Sequence, residues 1–383
     1  MKKPVNVGGY RRAAKRRLPK PLFDYLDGGA DDEWSVRNNT AAFDRYELLP
    51  QQLNDVCEID LKTPLLGTEL DLPVLLSPTG MSRLFHLDKE LGVARAAAAA
   101  GYAYCLSTVG TATIEQIAAI GNTPKIFQLY IHRDRGLTRE FIDRARAANY
   151  TALCLTVDTP VAGNRERDAR NGLAVPPRLT LGGFASFAAH PFWTFDLMHD
   201  SDFRFVNVAH RVDAKSEGAL GVMAYINSQL DSSLTWDDAA DIIALWGGPF
   251  IIKGVQSSDD AVRAAAAGAS ALMLSNHGGR QLEGTPAPVD CVRAVRERVG
   301  DRLELIVDGG VRRATHAIKA LCLGADAVSF GRPYLYALAA GGEKSVKTFL
   351  DSFRNDLKRD MALLGCASVA ALDGRYIRPA SRR

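Results

Sequence analysis

Eight short apolar, β-branched runs recur along the chain, at Val74–Pro78, Ala103–Thr108, Lys125–Tyr130, Ala152–Asp158, Phe250–Val255, Ala271–Asn276, Leu303–Asp308 and Ala327–Gly331. Such runs read as parallel strands buried on both faces. Their starts lie 29, 22, 27, 98, 21, 32 and 24 residues apart, and every interval but one has the length of a strand, a turn, a helix and a turn. Helical patterning fills the gaps at Asp88–Ala100, Leu137–Ala148, Ser258–Ala267 (opened by a Ser-Ser-Asp-Asp cap), Thr315–Leu323 and Lys344–Leu364. Eight strands alternating with helices predict an α/β fold, a (β/α)8 TIM barrel. A doubly wound sheet would need a glycine-rich first turn of the G-x-G-x-x-G type, and none follows the first run.

The 383 residues fit one such barrel with additions: a helical cap over about 1–60, the barrel over about 70–365, and an insertion over about 160–235 that fills the long interval. With 47% hydrophobic and 24% charged positions, disordered and fibrous classes are excluded. A net charge of +3 is too small to argue for nucleic acid. The first twenty residues nevertheless hold eight basic side chains and no acid, leaving residues 21–383 at −5. A basic amphipathic start either touches anionic lipid or simply solubilises a helix, and the second is the simpler reading. Leu18 to Asn39 carries helical patterning broken at Gly28-Gly29. The six cysteines form no CxxC pair and fit a reducing cytoplasm. No signal peptide or spanning-length apolar run is present, so the expectation is a cytoplasmic protein, with peripheral contact at the inner membrane face left open. The insertion holds Phe184, Phe187, Phe192, Trp193, Phe195, Phe203 and Phe205, which suit a self-packed lid, a subunit interface or a membrane patch; lid or interface is favoured.

Every predicted strand ends in polar or glycine residues, and in a barrel all eight carboxyl ends share the face where active sites are built. Asp308-Gly309-Gly310-Val311-Arg312-Arg313 follows the seventh run and Gly331-Arg332-Pro333 the eighth. These loops are the usual phosphate site of a barrel, because glycines admit backbone N–H groups and arginines add charge. Ser275-Asn276-His277-Gly278-Gly279-Arg280-Gln281 sets a histidine at a strand end near an arginine, an arrangement suited to a general base beside an anion anchor. Asp158 ends the fourth run, where it is placed to orient the imidazole. No metal site is expected.

The chain resembles the FMN-dependent L-2-hydroxy acid oxidases and dehydrogenases, which include glycolate oxidase, lactate dehydrogenases and mandelate dehydrogenase. The resemblance rests on Ser-Asn-His277-Gly-Gly-Arg280-Gln, with Phe-Asp-Tyr25-Leu-Asp-Gly-Gly-Ala, Pro78-Thr79-Gly80, Phe-Gln128-Leu-Tyr130, Leu-Thr156-Val-Asp158-Thr-Pro, Arg165-Glu-Arg-Asp, Lys253-Gly and Asp308-Gly-Gly-Val-Arg312-Arg. It spans about residues 7 to 370, apart from the middle of the insertion. The resemblance implies His277 as base paired with Asp158, and Arg165, Arg280 and Tyr25 as the grip on a substrate carboxylate. It implies Tyr130 as hydrogen-bond partner of the reacting oxygen and Lys253 beside the flavin pyrimidine. Pro78, Thr79, Gly80, Ser107, Gln128, Thr156 and Ser275 would contact the isoalloxazine and ribityl chain. Asp308 would take ribityl hydroxyls, while Gly309, Gly310, Arg312, Gly331 and Arg332 hold the phosphate. A homotetramer is also implied.

Departures from the pattern bear on specificity. Val109 stands where glycolate oxidase has tryptophan and Ala162 where it has leucine, so a substrate larger than glycolate is expected: lactate, or a longer or aromatic acid such as mandelate. Gly80 replaces the alanine common in the oxidases and, with the long insertion, leans towards a dehydrogenase using a quinone or cytochrome. The alternatives are an oxygen-using oxidase that makes peroxide and a non-catalytic flavin-binding barrel.

Overall fold

The computed structural model describes residues 4–172, 180–199, 206–207 and 229–381. Its strands are β1 Tyr46–Leu48, β2 Thr63–Leu65, β3 Thr68–Leu70, β4 Val74–Leu76, β5 Ala103–Ser107, β6 Lys125–Leu129, β7 Ala152–Thr156, β8 Phe250–Val255, β9 Ala271–Ser275, β10 Glu304–Asp308, β11 Ala327–Phe330 and β12 Ile377–Pro379. β4 to β11 form one closed parallel barrel in chain order, with β11 pairing back onto β4. These are the eight expected strands. Most end one or two residues earlier than their apolar runs, because the last polar residue of each run has left the ladder for the site above.

The period of two along each strand divides the core. Leu75, Ala103, Cys105, Ile126, Ala152, Cys154, Ile251, Ala271, Met273, Ile306 and Ala327 fill the barrel interior, while Val74, Leu76, Tyr104, Leu106, Phe127, Leu153 and Leu155 face the surrounding helices. The β2–β3 hairpin closes the amino end of the barrel. Its two-residue turn, Leu66-Gly67, has φ of 55° and 71°, the left-handed pair such a hairpin requires. Leu65, Leu66 and Leu70 join the interior cluster, and Leu66 N–H donates to Glu304 Oε2 at 2.8 Å.

Helices Val7–Arg17, Lys20–Asp27 and Trp34–Ala41 precede the barrel, and β1 pairs antiparallel with β12 so that the two ends of the chain are joined. The expected helix at Lys344–Leu364 is longer in the structure. It begins at Arg332, with Pro333 in its first turn, and Gly341 and Gly342 kink it. Proline there starts a helix where the sequence suggested only a turn. In the insertion, helices Leu181–Ala188 and Pro191–His199 pack Phe187 against Trp193 at 5.2 Å between ring centroids, and Trp193 Nε1 donates to the Leu84 carbonyl at 2.9 Å. Phe195 is exposed. The side chains of Phe184 and Phe192 and the whole of Phe203 and Phe205 lie outside the described residues. Among the described residues no helix is long and apolar enough to cross a membrane.

Candidate active site

The chain turns sharply off β9. His277, Gly278 and Gly279 all take left-handed backbone, at φ of 57°, 65° and 74°. Only the histidine carries a side chain, so it alone bears the steric cost of that conformation, and its N–H is anchored on Ser275 Oγ at 3.0 Å. His277 Nδ1 lies 2.8 Å from Asp158 Oδ1. A carboxylate on Nδ1 selects the tautomer with its proton there, leaving Nε2 to accept one. Asp158 reaches this position by crossing a bulge in β8 at Gly254. A Cβ on Gly254 would sit 2.7 Å from Asp158 Cβ and Cγ, so glycine is required for that approach. Burial pushes His277 below the ordinary histidine value, Lys253 and Arg280 push the same way, and Asp158 opposes them. Burial disfavours ionised Asp158, but Lys253 and, when it is protonated, His277 outweigh this and hold its pKa below the usual carboxylate value. The imidazole is therefore neutral at pH 7 and its partner charged.

Arg280 and Arg165 converge on Tyr25. Their guanidinium carbons lie 4.9 and 5.9 Å from its ring centroid. Arg280 Nη1 donates to the carbonyls of Tyr25 and Gly28, at 2.7 and 3.1 Å, which fixes the fork. Burial, then the like charge of Arg165, lowers Arg280 to about 10, so it stays charged at neutral pH. Two cations in one mouth suit a carboxylate. Burial raises Tyr130, keeping its hydroxyl a proton-bearing donor.

Below them lies a buried polar floor. Ser107 Oγ donates to Gln128 Oε1 at 2.9 Å and Gln128 Nε2 to Thr156 Oγ1 at 2.9 Å, a chain across three adjacent strands. Asp308 accepts from Ser77 and Ser329 at 2.6 and 2.8 Å on Oδ1, and from Ser275 at 2.7 Å on Oδ2. Lys253 Nζ stands 3.2 Å from the same Oδ2. Burial alone would lower Lys253, but Asp308 and Asp158 reverse this and hold it protonated.

At the far end, Gly310 has φ of 77°, and a Cβ there would fall 1.8 Å from the Asn39 carbonyl oxygen. Helix Trp34–Ala41 thus packs directly on the glycine-rich loop after β10, secured by paired side-chain hydrogen bonds between Asn39 and Asn276 at 2.7 and 2.8 Å. Arg332 lines the active-site cavity and also ties segments together. Its guanidinium donates to the carbonyls of Leu26, Gly278 and Gly28, at 3.2, 2.8 and 2.7 Å, tying the N-terminal segment to the barrel. Residue 332 opens its helix, and Arg312 lines the cavity beside it.

Tyr25, Pro78, Thr79, Gly80, Ser107, Val109, Tyr130, Ala162, Arg165, Lys253, His277, Arg280, Asp308, Gly309, Gly310, Arg312, Gly331 and Arg332 line one cavity of about 230 Å³. Gln128, Thr156, Asp158 and Ser275 are not in its lining; Gln128, Asp158 and Ser275 act through hydrogen bonds to residues that are, and Thr156 through Gln128. The sequence reading missed Ser77, Met81, Phe85, Leu230 and Ser329, which also line it. Ser77, directly before Pro78, and Ser329, inside the eighth run, were legible as polar residues in apolar strands. Nothing local marked Leu230. The layout fits FMN: a buried cation, Lys253, at one end, an acceptor, Asp308, midway, and N–H groups with Arg312 at the other.

The comparisons with known proteins agree. The FMN-dependent dehydrogenase family model matches residues 14–379. An L-lactate oxidase of Nostoc sp. is 41% identical over 378 residues, covering 98% of each chain. Glycolate oxidase of Spinacia oleracea is 37% identical over 373 residues, covering 97% of this chain and 95% of its own. A solved monotopic membrane protein, (S)-mandelate dehydrogenase, superposes with a TM-score of 0.93 at 34% identity, covering 98% of this chain and 99% of that one. The flavin-binding domain of baker's yeast flavocytochrome b2 gives 0.82 at 30% identity, covering 98% and 86%. The chain therefore belongs to the FMN-dependent dehydrogenase family and is an FMN flavoprotein oxidoreductase of 2-hydroxy acids.

Proposed function

We propose that this protein oxidises an L-2-hydroxy acid with an apolar side chain to the 2-oxo acid, with His277 as the base, and passes the electrons to a quinone or cytochrome-type acceptor. The observation that carries the reading is the His277–Asp158 hydrogen bond placed on the same cavity as the Arg165–Arg280 pair. Arg165 and Arg280 hold the substrate carboxylate, and Tyr130 donates to the oxygen that becomes the carbonyl. FMN, when bound, supplies the two-electron sink. A hydroxy acid gives up two protons and two electrons in becoming an oxo acid: His277 Nε2 takes one proton, and the other hydrogen would leave with the electron pair to the bound flavin. Asp158 stabilises the resulting imidazolium. Pro78, Thr79, Gly80, Ser107, Gln128, Thr156 and Ser275 hold the flavin ring and chain, directly or through the polar floor. Asp308 takes the ribityl hydroxyls, while Gly309, Gly310, Gly331, Arg312 and the Arg332 N–H take the phosphate.

Val109, Ala162, Met81, Phe85 and Leu230 leave an apolar space beside this clamp, which supports lactate or a larger acid over glycolate. Gly80 and Val109 are coupled, since a Cβ on Gly80 would lie 2.3 Å from Val109 Cγ2. The likeness to mandelate dehydrogenase supports a dehydrogenase that hands electrons to a membrane acceptor. Exposed Arg12, Lys15 and Arg16 on the first helix suit a peripheral approach to anionic lipid, while Arg11 is paired with Asp27. An oxygen-using oxidase is the second reading, favoured by the identity to L-lactate oxidase. Parallel assays of L-2-hydroxy acids with dye and with oxygen separate the two; peroxide formed at the full turnover rate selects the oxidase. For the base, His277→Gln is expected to keep its bound flavin and to lose about 10²–10⁴-fold in the rate of flavin reduction. Undiminished anaerobic bleaching by L-lactate in that variant rejects His277.

A further inference from the structure

Asp27 is a buried carboxylate that the chemistry above does not use. It lies outside the lining of the active-site cavity, as do the three side chains that bind it. Its Oδ1 accepts from Arg11 Nε at 2.6 Å and from the Tyr336 hydroxyl at 2.7 Å. Its Oδ2 accepts from Arg11 Nη2 at 2.7 Å and from Arg167 Nη1 at 3.3 Å. The three partners sit on the first helix, on the short helix Glu166–Arg170 and on helix Arg332–Leu364. Burial disfavours the charge on Asp27, but the hydrogen bonds of Arg11 and Tyr336 and the charges of Arg11 and Arg332 outweigh it and keep its pKa low. A buried anion gripped by a two-pronged guanidinium holds its own stretch of main chain in place.

That main chain orients the clamp. The carbonyls of Tyr25 and Gly28, on either side of Asp27, both accept from Arg280 Nη1. Arg167, bound to the Asp27 carboxylate, is two residues beyond Arg165, which caps the same short helix. Gly28 permits the close approach of these segments: a Cβ there would lie 2.6 Å from the Asp24 carbonyl oxygen and 3.4 Å from Arg167 Cδ. One side chain therefore reaches both halves of the clamp, Arg280 through carbonyls and Arg165 through its helix. We propose that Asp27 is a positioning residue that sets the spacing of Arg165 and Arg280 for the substrate carboxylate, with Arg11 of the first helix as its latch. His277 and Asp158 are held by Ser275 and by each other. Affinity for the carboxylate thus depends on Asp27, and proton transfer does not. The assignment rests on the reading of the clamp given above.

The test uses FMN-loaded protein and two carboxylate probes, pyruvate and phenylglyoxylate, whose Kd values are read from the perturbation of flavin absorbance. Asp27→Asn keeps the shape of the side chain but turns an amide N–H towards one of the Arg11 donors. It is expected to raise both Kd values about tenfold and by the same factor, because the probes share their oxo-carboxylate end. The limiting rate of anaerobic flavin reduction by L-lactate should fall far less, and the acid limb of kcat/KM should not move. Arg11→Ala removes the latch at a side chain that is 48% exposed, so it bears the test even if Asp27→Asn does not fold. It should raise both Kd values in part, Arg11→Lys should restore some of the loss, and the double variant should do no worse than Asp27→Asn. Lower thermal midpoints or FMN content with unaltered Kd values in the loaded fraction would mean a structural role only and overturn the proposal. Unequal rises for the two probes, or a limiting rate that falls as far as affinity, overturn it as well and leave the proposed function standing. A wild type that binds neither probe and is not reduced by L-lactate or L-mandelate overturns the clamp itself, and the positioning role with it.

Discussion

Asp158 spends one carboxylate oxygen on His277, and the other, buried, has no hydrogen-bond partner among the described residues. That is an expensive way to hold a charge unless the charge is used, and a neighbouring imidazole that becomes cationic uses it. Because Asp158 raises the His277 pKa while burial, Lys253 and Arg280 lower it, removing the carboxylate moves His277 further down. As the proposed base, His277 works unprotonated, so kcat/KM is expected to rise with pH through its pKa. In the wild type this acid limb is expected below the ordinary histidine value of about 6.5. In Asp158→Asn it shifts to still lower pH, and the plateau falls by about 10²-fold or more, with FMN retained. A pH–rate profile of the two proteins decides this; an unmoved limb would remove Asp158 from the role. Most of the chemistry at this scale was legible in the sequence, because histidine, aspartate and arginine at the ends of apolar strands are uncommon without a task. The clamp on Asp308 was less so. Ser77 and Ser329 lie 231 and 21 residues from it, and separation in sequence says nothing about which hydroxyls will meet.

Elements divide the molecule into a working end and a supporting end. The loops after β4 to β11 carry the site, whereas the β2–β3 hairpin stops the other end of the barrel with Leu65, Leu66 and Leu70. Leu65, 1% exposed, is expected to cost about 2–5 kcal/mol on mutation to Ala, lowering the thermal midpoint. The KM for substrate should change little, since no residue of the hairpin lines the active-site cavity. Thermal unfolding and steady-state kinetics on one preparation check both halves of the statement. The eight barrel strands were readable because burial on both faces leaves a continuous apolar run, a local signal. The hairpin was not, being only three residues a side and built on a turn with leucine in a left-handed position. The start of helix Arg332–Leu364 was hidden for another reason: Gly331-Arg332-Pro333 was read as a loop, and only the structure places Pro333 in a first helical turn.

Across the whole molecule, the N-terminal helices and the barrel meet through the site. Arg332 bonds to Leu26 and Gly28, Arg280 to Tyr25 and Gly28, and Asn39 to Asn276. A cofactor held beneath these contacts stabilises the fold by mass action, by about 2.7 kcal/mol at a hundredfold excess over its Kd. The thermal midpoint of cofactor-stripped protein is therefore expected to rise with added FMN, and less with riboflavin at equal concentration, because riboflavin lacks the phosphate assigned to Arg312 and the Gly331–Arg332 amides. Arg312→Ala should narrow the difference between the two ligands. Equal shifts in the unaltered protein would place the phosphate elsewhere.

The chain's own letters determined the barrel, the face that carries the cavity and most of the polar side chains that line it, since strand length, alternation and polar strand ends are written within a few residues of one another. Only the folded molecule decided that Arg332 donates to the carbonyls of Leu26, Gly278 and Gly28, that three serines share Asp308 and that Leu230 joins the lining of the cavity. Each of those outcomes depends on distances between segments that the sequence keeps far apart, and closure of the cylinder is what sets them.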